Sequence, residues 1–172
     1  MSNITGEIKF IVDINAGKLA RWLRFMGYDT LLFTELDDGQ MVRRALSDNR
    51  IILTKDTQVL KRRVVSSGKV KAVLVQGEKP GEQLQQIVKI MDLTYQFNSF
   101  TRCLECNCPL VEKSKEQIRD LVPPHVYQTQ ALFMTCPTCH RVYWQGTHWK
   151  AMCSELGNLL ANKTIKSGVK ES

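Results

Sequence analysis

Short apolar runs and amphipathic stretches alternate along the chain from residue 7 to residue 92. Four runs rich in β-branched and aromatic residues predict buried strands, because such side chains pack well on a pleated sheet. These strands are predicted at 8–12, 28–33, 50–54 and 70–75. The segment after each run has apolar residues at helical spacing. These helices are predicted at 19–26, 41–46, 59–64 and 84–91. Alternating strands and helices are typical of a parallel sheet covered on both faces, so we predict an α/β fold.

The pattern changes after about residue 99. From Cys103 onward the segments are short and contain cysteine, proline and aromatic residues, and helical periodicity returns only near Trp149. The last residues are polar and include three lysines. We therefore predict a sheet domain at 1–98, a small module at 99–161 and a flexible basic tail at 162–172, with the domain boundary near residues 97–101.

The composition and the N-terminal residues indicate where in the cell the protein is located. Of the 172 residues, 43% are hydrophobic, and the mean hydropathy of −0.23 is that of a soluble protein with a core. No apolar run approaches the roughly 20 residues that a membrane span needs. Residues 1–7 lack the basic and apolar parts of a signal peptide. These features predict a cytoplasmic protein without a membrane segment.

The chain is basic, with a net charge of +7 and a pI near 9.2. Clustered lysine and arginine gain affinity for phosphates by releasing counterions. The charge therefore favours a nucleic-acid partner, and a basic surface that serves solubility alone is the alternative.

Carboxylates follow the predicted strands. Asp13 follows the first strand, Asp56 follows the third, and an acidic loop with Glu35, Asp37 and Asp38 follows the second. Because the carboxyl ends of parallel strands share one edge, these carboxylates are expected to converge there. Mg²⁺ or Mn²⁺ would relieve their repulsion and generate a hydroxide for phosphodiester hydrolysis. The alternative is that Asp13, Asp38 and Asp56 cap the helices that follow them, with Asp37 as the other candidate cap of the second helix.

Basic residues lie close to these carboxylates in the sequence. Lys18, Arg21 and Arg24 share the polar side of the first predicted helix, and Lys55 precedes Asp56. We predict that these four cations contact the phosphates of a nucleic-acid backbone.

Three segments resemble the PIN-like ribonuclease family known from the C-terminal domain of the Mut-seven exonucleases. They are FIVD at 10–13, GKLARWLRFMGYDT at 17–30 and RIILTKD at 50–56. Together with the cysteine motifs described below, the resemblance covers about residues 7–152. It implies a PIN-type α/β fold with a parallel sheet flanked by helices, and a ribonuclease that uses Mg²⁺ or Mn²⁺ to cut RNA.

The resemblance also implies roles for individual residues. Asp13 and Asp56 match metal-binding carboxylates, and Asp38 is the best match for the acidic residue after the second strand. Asp37 is the next best match and is a further catalytic candidate. Many PIN nucleases carry a fourth carboxylate soon after the third, whereas Thr-Gln-Val at 57–59 follows Asp56 here. This departure leaves the number of catalytic ions open.

Two C-x₂-C pairs predict a metal site in the second part of the chain. Cys103 pairs with Cys106 and Cys136 with Cys139, with 29 residues between the pairs. Two such pairs complete the tetrahedral Cys₄ site of structural Zn²⁺, and the segment after Cys139 is typical of a zinc ribbon. A redox dithiol and an iron–sulfur cluster are the alternatives. The other two cysteines are surplus to this motif.

Cations and aromatic residues are mixed in the predicted ribbon. Arg141, His148 and Lys150 lie among Trp144 and Trp149. Such a mixture suits stacking on unpaired bases. We therefore predict that Arg141 and His148 contact RNA. The alternatives are a ribbon that only stabilises the fold and a structural role for His148.

Together, these features predict a metal-dependent ribonuclease whose zinc ribbon aids RNA binding or folding. A non-catalytic RNA-binding module in ribosome or tRNA metabolism is the main alternative, because the fourth carboxylate is missing. A protein–protein adaptor built on the ribbon is a third alternative, which the net charge of +7 disfavours.

Overall fold

A computed structural model describes residues 7–94 and 100–166 of the chain, with side-chain burial described through residue 161. The predicted domain boundary near residues 97–101 lies partly outside these ranges. The end of the predicted tail, 167–172, lies wholly outside them.

The strands and helices in these ranges follow the predicted alternation over the first part of the chain. The strands are β1 Lys9–Asp13, β2 Asp29–Phe33, β3 Ile51–Thr54, β4 Ala72–Leu74, β5 Val111–Lys113, β6 Phe133–Thr135 and β7 Val142–Tyr143. The helices are α1 Gly17–Phe25, α2 Asp38–Asp48, α3 Thr57–Lys61, α4 Arg63–Ser66, α5 Pro80–Met91, α6 Lys115–Ile118, α7 Pro124–Thr129 and α8 Thr147–Lys166. A 3₁₀ turn at Ile14–Ala16 links β1 to α1.

The first four strands form one parallel sheet in the order β2-β1-β3-β4. The central strand β1 lies between β2 and β3, with Asp13 opposite Phe33 and Val12 opposite Leu53. The carboxyl ends of these strands therefore reach the same edge of the sheet, where ligands bind in folds of this type. The parallel sheet and its flanking helices confirm the predicted PIN-like α/β fold.

Each face of the sheet has its own core, because alternate residues of a strand face opposite sides. Phe10 and Val12 pack with residues of α1 and α5, including Leu23 and Leu84. Ile11 packs on the opposite face with residues of α2 and α3. Burial on both faces explains why the first strand reads as a continuous apolar run.

The cysteine-rich module has a second, smaller sheet. Strands β5, β6 and β7 pair in antiparallel fashion. Ile118 and Phe133 are the fully buried centre of a small apolar cluster beside this sheet. Helix α8 then leaves the module and packs Met152 and Leu156 against the first core. The C-terminal helix therefore ties the module to the parallel sheet.

Three helical predictions differ from the structure. The helix predicted at 59–64 is divided into α3 and α4, because Arg62 between them is extended, with φ −61° and ψ 134°. Helices also occur before Trp149, since α6 and α7 lie within the cysteine-rich region. At four and six residues, they are too short to show helical periodicity. Helix α8 continues to Lys166, into the stretch predicted to be flexible. None of the helices in the described part of the chain has the length and apolar composition of a membrane span.

Candidate active site and metal centre

The ends of β1 and β3 bring Asp13 and Asp56 together through Thr54. The Thr54 hydroxyl donates to Oδ2 of Asp13 over 2.9 Å, and its oxygen accepts from the backbone N–H of Asp56 over 3.0 Å. Thr54 is fully buried, and Asp13 is 9% exposed. These hydrogen bonds fix the Asp13 carboxylate relative to the loop that carries Asp56, at the carboxyl edge of the sheet.

Both carboxylates also cap helices. Oδ1 of Asp13 accepts from the N–H of Asn15 over 3.1 Å, at the start of the 3₁₀ turn. Oδ1 of Asp56 accepts from the N–H of Gln58 over 2.7 Å, at the start of α3. The capping alternative is therefore confirmed for these two residues. Each cap uses one lone pair of a carboxylate that has about four, so a cap and a metal ion can share the same group.

In the acidic loop, the cap is Asp37 and not Asp38. Oδ1 of Asp37 accepts from the N–H of Gly39 over 2.8 Å. This hydrogen bond and the nearby Arg43 guanidinium lower the pKa of the Asp37 carboxyl. Asp38 is the first residue of α2 and is half-buried. Its negative charge is stabilised there by the helix N-terminus, and the capping role considered for Asp38 is wrong.

The carboxylates do not form a tight cluster. Within the described part of the chain, only four cysteines bring three or more candidate ligand atoms within 4.8 Å of one another. Mg²⁺ is usually held by one or two carboxylates, with water and substrate phosphates completing its octahedron. The pair formed by Asp13 and Asp56 fits this donor set.

Three of the four cations predicted to contact phosphates are accessible. Lys18 is exposed near the start of α1. Arg21 forms an ion pair with Glu105, and Lys55 Nζ lies 2.6 Å from Oε1 of Glu78. Ion pairs at exposed positions are weak, so an RNA phosphate can displace these carboxylates.

Arg24, the fourth of these cations, is buried, at 6% exposure. Its Nε donates to the carbonyl of Thr30 over 2.8 Å, and its Nη1 donates to the carbonyls of Leu104 and Glu105 over 2.9 and 3.0 Å. The guanidinium therefore joins β2 to the first cysteine pair. This structural role takes up most of the guanidinium, and the contact between Arg24 and RNA stays a prediction.

A second buried link between β2 and the module runs through Asp29. Its carboxylate accepts from Nη1 of Arg50 and from Nδ2 of Asn107, each over 2.7 Å. Oδ1 of Asn107 accepts in turn from the N–H of Thr30 over 2.9 Å. Burial opposes ionisation of Asp29, but the hydrogen bonds from Arg50 and Asn107 outweigh it and lower the pKa of this carboxyl. The sequence alone gives neither Asp29 nor Asn107 a role.

The four cysteines lie on two loops with matching backbone hydrogen bonds. The N–H of Asn107 donates to the carbonyl of Cys103 over 3.0 Å, and the N–H of His140 donates to the carbonyl of Cys136 over 2.9 Å. Asn107 and His140 both adopt the left-handed conformation, with φ of 66° and 62°. The positive φ turns each chain back after its C-x₂-C pair, so that two knuckles of the same form result.

The sulfurs of the two knuckles converge. Cys103 Sγ lies 3.5 Å from Cys139 Sγ, Cys106 Sγ lies 3.2 Å from Cys136 Sγ, and all four lie within 4.8 Å of one another. Zinc–sulfur bonds of about 2.3 Å place the sulfurs of a tetrahedral site about 3.8 Å apart. All four cysteines are free thiols. Four cysteines positioned like a zinc site therefore confirm the predicted ribbon.

Hydrogen bonds to Cys103 favour its ionised form, whereas Cys106 favours the neutral thiol. The Tyr143 oxygen accepts from the N–H of Leu104 and lies 3.1 Å from Cys103 Sγ, to which its hydroxyl can donate when the sulfur is ionised. Burial opposes ionisation of Cys103, but this bond and the N–H groups of Cys106 and Glu105 lower its pKa to about 6. Burial and the neighbouring sulfurs raise the pKa of Cys106 to about 12. All four sulfurs can ionise together only if a cation offsets their repulsion, as a bound metal does.

The two residues predicted to give the ribbon its RNA contacts lie at the surface. Arg141 is exposed, and its Nη1 lies 3.9 Å from Cys139 Sγ. His148 is exposed near the start of α8. It borders a cavity of about 330 Å³ together with Trp144 and Trp149. The contact of Arg141 and His148 with RNA stays a prediction.

Two residues at the sheet edge were not predicted, Thr54 and Glu78. Thr54 is a buried polar residue at the end of an apolar strand. A polar residue in that position could have been recognised in the sequence, because buried polar groups need hydrogen-bond partners. Glu78 follows β4 and pairs with Lys55. Glu78 could have been recognised in the sequence by its position after the fourth predicted strand.

A family model described as Mut7-C RNAse domain matches residues 8–156. The matched region includes the parallel sheet, the carboxylates at its edge and the four clustered cysteines. No curated protein and no solved structure has a significant match to the chain.

Proposed function

The chain belongs to the Mut7-C RNAse domain family, and we propose that it hydrolyses RNA phosphodiester bonds with Mg²⁺ or Mn²⁺ held by Asp13 and Asp56. The observation that carries the proposal is the hydrogen-bonded unit of Asp13, Thr54 and Asp56 at the carboxyl edge of the sheet. Two carboxylates in this position suit a hard cation that takes oxygen ligands.

The residues at this edge would have separate roles in hydrolysis. The chemistry that a bound ion would supply at this edge is the activation of water for attack on phosphorus. Asp13 and Asp56 would each contribute a carboxylate oxygen, and the Thr54 hydroxyl keeps the Asp13 carboxylate in its orientation. Asp38 in the first turn of α2, with Asp37 beside it, is the further candidate from the acidic loop after β2.

Cations near this edge would hold the RNA backbone. Lys18 and Arg21 lie on α1, which follows Asp13, and Lys55 immediately precedes Asp56. Contacts of this kind position a strand without reading its sequence, and they weaken as salt displaces the phosphates. We therefore expect RNA binding that tolerates sequence changes and falls steeply with ionic strength.

We propose that the four clustered cysteines hold a structural Zn²⁺. Four thiolates fill every position of a tetrahedral ion, as in closed structural sites. Arg24 and Asn107 connect this centre to β2, so the ion would stabilise the parallel sheet as well as the module. Arg141 and His148 would add RNA contacts at the surface of the module.

Cleavage of an end-labelled single-stranded RNA by the zinc-loaded protein tests the ribonuclease proposal. We expect products that require added Mg²⁺ or Mn²⁺. Asp13→Asn should cleave at least about 100-fold more slowly, because a catalytic ion stabilises the transition state by several kcal/mol. Asp120→Asn, an exposed carboxylate of the module, is the matched control and should cleave like the wild type. Wild-type cleavage by a folded Asp13→Asn variant in Mn²⁺ would show that the site is wrongly assigned.

A non-catalytic RNA-binding module is the second candidate. The observation in its favour is that Asp13, Asp37 and Asp56 all cap helices, while the described carboxylates form no tight cluster. Such a module would bind RNA in a salt-sensitive way and give no products with any divalent ion. RNA binding without cleavage, unchanged in Asp13→Asn, would establish it. A cytoplasmic location stays a prediction from the sequence.

A further inference from the structure

A cavity of about 330 Å³ lies between α1 and the cysteine-rich module, separate from the carboxylate edge. Its volume is near the lower end for pockets that hold a small ligand. Aromatic rings and guanidinium groups make up much of its wall. They include Phe100, Tyr143, Trp144 and Trp149, with Arg21, Arg24 and Arg102. This lining offers flat π faces next to cations, which is the combination that binds unpaired bases.

Trp149 has an unused hydrogen-bond donor. Among the described residues, its Nε1 is the one buried side-chain nitrogen or oxygen without a partner. A buried indole N–H normally has an acceptor, because leaving it unpaired costs free energy. Phe100 packs against the Trp149 ring, with centroids 5.6 Å apart and planes at 33°. Because this nitrogen has less than 1 Å² of accessible surface, an acceptor on a bound ligand would satisfy the donor after a small shift of the ring.

The cations around the cavity differ in availability. Arg24 and Arg102 donate to backbone carbonyls of the first knuckle. Arg21 is held by an ion pair with Glu105 in which both side chains are more than 40% exposed. His148 is exposed and lines the cavity. A phosphate near the opening can therefore compete for Arg21 and His148, because exposed ion pairs are weak.

We propose that this cavity binds one unpaired base of the RNA, stacked among the aromatic rings. A small shift of the Trp149 ring lets its N–H donate to an acceptor on the nucleoside, and Arg21 and His148 hold the adjoining phosphate. The inference rests on the proposed function, because it takes RNA as the ligand, and it adds a binding site apart from the cleavage site. Arg21 is the fifth residue of α1, roughly 6 Å along the axis from the start of the helix after Asp13. One strand can therefore reach both sites.

The first test uses the full zinc-loaded chain without Mg²⁺ or Mn²⁺, with 5′-AMP as the probe. The three tryptophans give three indole N–H signals in a ¹⁵N-edited NMR spectrum, assigned with single Trp→Phe variants. AMP should shift the signals of Trp144 and Trp149 more than that of Trp22, which does not line the cavity. Ribose 5-phosphate is the matched ligand without a base and should leave these signals in place.

Two outcomes of this titration overturn the proposal. Equal shifts with ribose 5-phosphate and AMP would mean that the site binds phosphate alone. No shift with either ligand would leave the cavity to another occupant, such as an apolar side chain of a protein partner.

Variants extend the test to a single-stranded RNA. Trp149→Phe keeps a packed ring and removes the N–H, so affinity should fall about 2- to 10-fold. Arg21→Gln should weaken binding to a similar extent. Arg119→Gln removes the same charge from an exposed arginine of the module that does not line the cavity, and should change affinity less than about 2-fold. Equal losses in Arg21→Gln and Arg119→Gln would contradict the pocket, because net charge alone would then explain both.

The binding tests are independent of cleavage, because the catalytic ions are omitted. An AMP response without metal-dependent cleavage would refute the ribonuclease proposal and leave the base pocket standing. Cleavage without an AMP response would refute the pocket alone.

Discussion

Replacing Asp29 by asparagine tests how the cysteine-rich module is joined to the parallel sheet. Asparagine has nearly the same shape as aspartate but carries no charge, so Arg50 would lose the nearer of its two ionic partners and keep only Asp48, whose Oδ2 lies 3.5 Å from its Nε. The side chains of Asp29 and Arg50 are 12% and 9% exposed, and their closest atoms are 2.7 Å apart. Water cannot readily take the place of the carboxylate at this depth. The variant would therefore leave the Nη1 end of a buried guanidinium without a carboxylate, with only the more distant Asp48 as a counter-charge, and would place an amide N–H₂ group beside donors.

The expected loss of stability in Asp29→Asn follows from this burial. Removing one member of a buried ion pair costs about 3–5 kcal/mol, and asparagine keeps one acceptor oxygen, so we expect about 3 kcal/mol. For a chain of this size, that loss lowers Tm by roughly 6–12 °C. Urea unfolding followed by circular dichroism measures the free energy of unfolding, and calorimetry measures Tm. Asp120→Asn, at an exposed position, is the control and should change stability by less than about 0.5 kcal/mol.

The pH dependence of the free energy of unfolding supplies a second test of the role of Asp29. Hydrogen bonds from Arg50 and Asn107 hold the pKa of Asp29 below its ordinary value of about 3.9. The folded protein therefore binds fewer protons than the unfolded chain, and the stabilisation is complete above about pH 5 and is lost as the pH falls through the folded-state pKa. The stability difference between wild type and Asp29→Asn should narrow in acid. A difference below about 1 kcal/mol at neutral pH, or one that stays constant into acid, would refute the reasoning.

Three further changes test separate features. Thr54→Val removes the hydroxyl that orients the Asp13 carboxylate and should slow RNA cleavage about 10- to 100-fold, while Thr54→Ser should cleave nearly normally; equal losses in both would contradict the role of the hydroxyl. Arg24→Met leaves several carbonyls without their donor and should lower the free energy of unfolding by about 2–3 kcal/mol; unchanged stability would show that these hydrogen bonds do not hold the module on the sheet. Chelation of zinc should lower the Tm of the parallel sheet as well as that of the module. If calorimetry shows that the unfolding transition of the sheet does not move, the buried hydrogen bonds do not couple the stability of the sheet to that of the module.

The strands and the cysteine site could be predicted because each depends on local spacing. A strand buried on both faces reads as a short apolar run, and a knuckle reads as C-x₂-C. The positions of Asp13 and Asp56 follow from the same logic, since residues at or just beyond the end of a buried strand lie at the carboxyl edge of a parallel sheet. The division between α3 and α4 at Arg62 could not be predicted, because the apolar spacing continues across it.

Links between distant segments could not be predicted from spacing. Arg24 lies on the polar side of α1, where periodicity indicates a cation facing solvent. The carbonyl that covers it belongs to Leu104, 80 residues later. Asp29 and Asn107 are likewise 78 residues apart. Hydrogen bonds of this kind depend on how the module docks on the sheet, and neither a helical period nor a cysteine spacing records that arrangement.

That Asp13 and Asp56 hold the catalytic ion is the central claim, and mapping with paramagnetic Mn²⁺ tests it most directly. Mn²⁺ broadens the NMR signals of nuclei close to it. A small amount added to the ¹⁵N-labelled, zinc-loaded protein should first remove the amide signals of Asn15, Thr54 and Asp56, and should spare those of α7. In Asp13→Asn the same amount should leave all of these signals intact. Broadening elsewhere with the sheet-edge signals preserved, or equal broadening in Asp13→Asn, would contradict the claim.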